Sequence, residues 1–227
     1  SILLVIDDWD REERDGLPWE GKGGVFCFES KTLIQTSQGM KEINKIAQGD
    51  EVFTQSGLRT VSWIGGRTVS SSDMASNPKL KPVRITSGAL GDGLPLRDLI
   101  VSRQHRVLIN SIISERMFGK RDVLIPAIKL TELPGIYVDD DFDGVEYFHL
   151  LFDKHEIVYS EGLATESLFT GPEALKTLGP EACEEIFTLF PELKDRDYSP
   201  EPAHYIPENK HQKKLIARHL KNQRPVS

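Results

Sequence analysis

Two cysteines among 227 residues are too few for a disulfide framework, so nothing points to a small scaffold stapled by covalent bridges. Long apolar runs are missing as well. The run Ile2 to Ile6 meets Asp7 and Asp8 at once and falls far short of the ~20 residues of a transmembrane segment. The same opening lacks the basic start and small-residue end of a secretory signal. It begins on Ser1 rather than Met, as a piece cut from a larger protein would. No repeat of fixed period runs along the chain. Surplus positive charge is absent too: 28 Lys and Arg against 35 Asp and Glu give −7, which argues against nucleic acid as the main partner. What is present is an apolar fraction of 38%, enough for a core and too much for disorder along the full length.

Pattern then divides the chain. Residues 1–26 hold seven acids and three bases, contain Pro18, and close on a glycine-rich approach at Gly21, Gly23 and Gly24. They read as a detachable lead-in. From Val25 onward short β-branched runs alternate with turn residues. Strands are expected over 32–36, 51–54, 59–64, 83–86, 99–101 and 106–109, with one or two more between Val145 and Tyr159. That spacing of strands and turns predicts a mostly β fold. Gly65-Gly66 is expected to end the strand that begins at Arg59, and the Ser-rich stretch 70–80 reads as a loop. Beyond Gly162 the character turns helical, over 172–178, over 180–190 starting on Pro180, and over 210–221. Residues 209–227 carry six Lys/Arg and no acid. That tail is either a solvated helix or a surface for anionic lipid or RNA.

The two cysteines differ in their company. Cys183, with Ile186, Phe187 and Phe190 on a helical face, reads as a buried inert thiol. Cys27 follows the flexible approach and stands between Phe26 and Phe28. Taken alone it too is a small buried hydrophobe. Taken with the turn Gly49-Asp50-Glu51-Val52, the loop Gly88-Ala89-Leu90-Gly91 and the motif Ser102-Arg103-Gln104-His105, it resembles the Hint superfamily of hedgehog autoprocessing domains and inteins. It is most similar to a bacterial, Hint-2-like subgroup found in exported proteins. The resemblance is close over 27–165 and looser to about 193.

That resemblance implies a horseshoe-like all-β fold with short helices at the carboxyl end. It divides the chain into an upstream segment 1–26, a self-processing domain 27–166 and a helical, basic extension 167–227. It implies that Cys27 attacks the carbonyl carbon of Phe26 in an N-to-S acyl shift, so that Phe26–Cys27 is the scissile bond. His105 would protonate the leaving nitrogen, since an imidazole holds and gives a proton near neutrality. Ser102 would hydrogen-bond the scissile peptide; otherwise its hydroxyl merely closes a turn. The segment 148–158 resembles the family's last strand region, which supplies a histidine or aspartate for the second step, here Asp153 and His155. If that segment is one strand, His149, Asp153 and His155 share a face and either polarise a water or thiol or form part of a metal site; His149 otherwise reads as an ordinary strand histidine.

The departures narrow the expectation. The stretch Ser160 to Ser167 holds no Asn, so splicing is not expected, only amino-side cleavage. Phe26 stands where hedgehog-type domains carry glycine, and a bulky residue there is expected to slow the shift. No sterol-recognition region follows residue 166. Water or a small thiol or amine is therefore the expected acceptor, and no cofactor or metal is required. The expectation is a monomeric, single-turnover, self-cleaving domain whose partner is its own upstream polypeptide, borne on a secreted or cell-surface bacterial protein. The alternative is a slow or inactive module of the same fold serving as a structural or interaction domain.

Overall fold

Two tight hairpins near the start show how the sequence builds this fold. Thr36-Ser37-Gln38-Gly39 and Thr54-Gln55-Ser56-Gly57 use the same device: the threonine hydroxyl donates to the glycine carbonyl at 2.7 Å in each, and the glycines adopt φ of 103° and 101°, which only glycine takes readily. The computed structural model describes residues 26–170, 180–189, 191–194, 200–222 and 224–226.

Fourteen strands run through the described residues. They are β1 Phe28–Glu29, β2 Leu33–Thr36, β3 Gly39–Glu42, β4 Glu51–Thr54, β5 Gly57–Thr60, β6 Trp63–Val69 and β7 Val83–Ile85, followed by β8 Leu99–Val101, β9 Arg106–Asn110, β10 Asp122–Pro126, β11 Ile136–Val138, β12 Val145–Leu151, β13 Ile157–Ser160 and β14 Leu163–Glu166. They form a six-stranded sheet, β11-β7-β8-β1-β12-β6, and an eight-stranded sheet, β10-β9-β14-β13-β2-β4-β5 with β3 beside β2. The mostly β architecture is the one the sequence predicts. The main core is largely aliphatic, built from residues such as Ile34, Val52, Ile85, Leu99, Val107, Ile109, Ile125 and Leu150, with Phe28 and Phe152 among them.

Several local expectations change. Residues 70–80 are not a loop. Ser70 caps a helix over Ser71–Ser76 (α1) in a capping box with Asp73, and a short 3-10 turn follows over Pro78–Leu80. Serine reads as loop only until its hydroxyl finds the backbone N–H groups at a helix start. Nor does Gly65-Gly66 end a strand, for β6 continues through both to Val69. A side chain at Gly65 would meet the Trp63 ring at 2.0 Å, and one at Gly66 the Phe148 ring at 2.9 Å. These glycines therefore make room for aromatic rings rather than for a turn. Of the one or two strands expected over 145–159, the structure has two, β12 and β13. Residues 111–138, over which the sequence pattern makes no assignment, add helices Ile112–Phe118 (α2) and Ala127–Leu130 (α3). The helix expected over 172–178 lies outside the described residues. Pro180–Leu189 (α4) and Asn209–Asn222 (α5) are helical. In α5 the face bearing Leu215 and Ile216 joins the main core, and its lysines point outward.

Candidate active site

Strand β1 is only two residues long, yet it lies in the middle of its sheet. Phe28 pairs with Phe148 of β12 on one side and with Val101 of β8 on the other. One step back along each antiparallel ladder sets Cys27 beside His149 and beside Ser102. Both contacts are made. The Cys27 backbone N–H donates to Ser102 Oγ at 2.9 Å, and Ser102 N–H donates to the Cys27 carbonyl at 3.0 Å. Across the other ladder, His149 Nε2 is 3.2 Å from Cys27 Sγ, and His149 Nδ1 is 2.8 Å from the Phe26 carbonyl oxygen.

That last pair fixes the chemistry of the ring. A carbonyl only accepts, so Nδ1 carries the proton and Nε2 is the unprotonated nitrogen; Cys27 Sγ lies 3.2 Å from Nε2 and 3.6 Å from Nδ1, against the face of the ring. One imidazole thus polarises the Phe26 carbonyl and stands within reach of the sulfur beside it. Cys27 is fully buried. Burial pushes its thiol well above the usual range, and the Arg67 charge and the Ser102 hydroxyl pull it only partly back. Burial likewise pushes His149 down to about 4; the bond to the Phe26 carbonyl opposes this and Arg67 adds to it. The resting pair is therefore a neutral thiol facing a neutral imidazole.

His105 closes the turn after β8, its N–H donating to the Ser102 carbonyl at 3.1 Å. Its ring lies 4.2 Å from the Phe28 ring, centroid to centroid. Both ring nitrogens are buried with no hydrogen-bond partner among the described residues, an arrangement that costs stability and is rare without a functional reason. Burial takes His105 down to about 4, against the opposing pull of Glu166 and with help from His149, Arg106 and His155.

The structure brings Cys27, Ser102 and the Phe26 carbonyl together and sets His105 behind Phe28. It does not do the same for the pair expected from 148–158. The chain bends after Leu151, so His149, Asp153 and His155 share no strand face, and the metal reading that needed one loses its basis. Asp153 is exposed in that bend. His155 turns to a different carboxylate: its Nε2 sits 3.2 Å from Glu166 Oε2, though off the line of a hydrogen bond, while its Nδ1 accepts from Ala203 N–H at 2.9 Å. Glu166 is fully buried. Burial alone would raise its carboxyl, but His155 and Arg106 beside it carry it lower. Arg106 donates to it twice, from its backbone at 2.8 Å and from Nη1 at 2.9 Å.

His149 is the residue that sequence reasoning undervalues. Its signal is the period-two alternation of β12, in which Val145, Tyr147 and His149 share the inward face. A histidine in that register has no solvent to reach and must meet a partner inside.

Comparison with known proteins adds the following. The sequence model of the Hint domain matches residues 26–172. Among solved structures, the gp41-1 intein is similar at 21% identity over 63% of this chain and 98% of its own, with a TM-score of 0.38. A bacterial intein-like domain from Clostridium thermocellum is similar at 14% identity over 63% and 99%, with a TM-score of 0.40. A DnaB intein from Synechocystis is similar at 13% identity over 63% and 99%, with a TM-score of 0.37. No curated protein matches.

Proposed function

We propose, for a chain that belongs to the Hint domain family, that it cleaves itself between Phe26 and Cys27. The observation that carries this reading is the single imidazole of His149, which touches both the carbonyl oxygen to be attacked and the sulfur beside it. The steps follow from those contacts. The Cys27 thiol gives its proton to His149 Nε2 as sulfur bonds to the Phe26 carbonyl carbon. The oxygen gains charge and is held by His149 Nδ1–H, a donor already aimed at it. The carbon–nitrogen bond then breaks. The Cys27 nitrogen takes up a proton and leaves as an amine, so the net proton movement is from sulfur to nitrogen. Ser102 Oγ holds that nitrogen, and His105 is the residue we assign to relay to it the proton that His149 took from the sulfur, so that both rings end neutral. The thioester between Phe26 and Cys27 is resolved by water or a small thiol or amine, and the upstream polypeptide departs without splicing.

One observation favours a second reading. Complete burial of Cys27, with its thiol raised and both histidines lowered, describes a site that rests silent. On this reading the chain is a slow or inactive module with a structural or interaction role. Intact mass separates the two. The purified chain held with dithiothreitol loses residues 1–26 on the first reading, and a Cys27→Ala chain does not. A chain that keeps its full mass over days under thiol supports the second reading.

A further inference from the structure

Phe26 is more than a bulky residue at an awkward place. Its side chain is 8% exposed and packs in a cluster with Trp63, Leu151, Leu168, Cys183 and Ile186, separate from the main core. Those residues come from β6, β12, the segment after β14, and helix α4, which lies beyond the stretch matched by the Hint domain. The guanidinium of Arg106 stands 4.6 Å over the Phe26 ring. It is fixed there by the buried carboxylate of Glu166, which also faces His155. A cation held over an aromatic face is an attraction that an aliphatic side chain does not return.

We infer that this cluster is a built subsite that selects an aromatic side chain at the residue whose carbonyl is attacked, with Arg106 as its specificity-determining residue. The inference rests on the cleavage reading above. Anchoring the ring fixes the residue that also bears the carbonyl oxygen, so that the oxygen stays on His149 Nδ1. Glu166 and His155 act through Arg106 as positioning residues. Helix α4 makes the subsite a feature of this chain's extension and not of the β domain alone.

The sign of the effect separates this from simple crowding. Steric relief alone makes Phe26→Gly cleave faster. The subsite makes it slower, by roughly a hundredfold, because the carbonyl loses its anchor. Phe26→Leu keeps the apolar filling but loses the cation contact, for a loss of roughly threefold to thirtyfold, and Phe26→Tyr stays near the parent rate. Arg106→Lys, which keeps a counter-charge for Glu166, slows the parent chain but leaves the rate of the Phe26→Leu chain little changed. The measurement is the first-order loss of intact mass of the full chain in dithiothreitol. A Phe26→Gly chain faster than the parent, or equal Arg106→Lys effects in the parent and Phe26→Leu backgrounds, overturns the inference.

A second measurement does not depend on cleavage. In full-length Cys27→Ala, denaturant midpoints are taken for Phe26→Leu, Arg106→Lys and the pair. The subsite predicts that the double variant loses less than the two single losses combined; additive losses overturn it. If the parent chain never cleaves and this coupling is present, the acyl-shift reading falls while the subsite stands.

Discussion

His149 carries the chemical argument, because two atoms of one ring face two atoms of one reaction. Replacing it with glutamine keeps a polar group against the Phe26 carbonyl but removes the base. We expect cleavage to slow by roughly 10²- to 10⁴-fold, the usual range for losing a positioned acid–base group. His155→Gln should slow it far less, because that ring serves Glu166 and Arg106, and Asp153→Asn should leave the rate unchanged. Rates from intact mass decide the ranking; an Asp153 variant as slow as the His149 variant would return the second-step role to the bend. Cys27, Ser102 and His105 are singled out in the sequence only through the family resemblance that their motifs carry together. His149 is legible only as a strand histidine, since its importance comes from a ladder partner 122 residues away. Arg106 and Glu166 give no local signal at all.

Among the elements, β1 and β6 matter most to the site. A two-residue strand has little stability of its own; β1 is held because both neighbours pair with it. Strand β6 then supports β12 along its full length, His149 lying opposite Gly65 and Phe148 opposite Gly66. In the sequence this glycine pair reads as a breaker, which is its commonest meaning. The physical reason it is not lies in Trp63 and Phe148, whose rings occupy the space of the missing side chains. Gly65→Ala drives a methyl into the buried Trp63 ring, and Trp63 belongs to the cluster around Phe26. A loss of roughly 1–3 kcal/mol is expected from such overpacking, read as a lowered denaturant midpoint, together with slower cleavage. An unchanged midpoint would mean that Trp63 moves aside freely. Strands flanked by turn glycines are well placed by sequence. The serine-rich helix α1 is not, because its composition reads as loop and masks the local Ser70–Asp73 capping box.

At the scale of the molecule, the site has been closed at a cost in stability that pH reveals. In the unfolded chain a histidine titrates near 6.5; folded, His105 and His149 are each held at about 4. Between those values the unfolded state binds more protons. Stability from both rings is thus complete above the unfolded value and is lost as pH falls toward 4, by about 3 kcal/mol per ring at most. His204 and His219, also lowered by burial, act in the same direction. Urea unfolding between pH 7 and 4.5 checks this; a midpoint that does not fall on acidification contradicts the neutral state of the two rings. Helix α5 shares the main core through Leu215 and Ile216, and α4 joins the Phe26 cluster through Cys183 and Ile186. Composition shows these helices as charged and short but gives no sign of which face they cover. Among the described residues no helix is long and apolar enough to cross a membrane. A thioester at Phe26 is the species that only the acyl shift produces, and hydroxylamine traps it. The purified chain, given neutral hydroxylamine, is expected to release a 1–26 fragment ending in a Phe26 hydroxamate, seen by mass, and Cys27→Ala to release none. A parent chain that keeps its full mass, or a fragment with a hydroxamate elsewhere, would contradict the acyl shift.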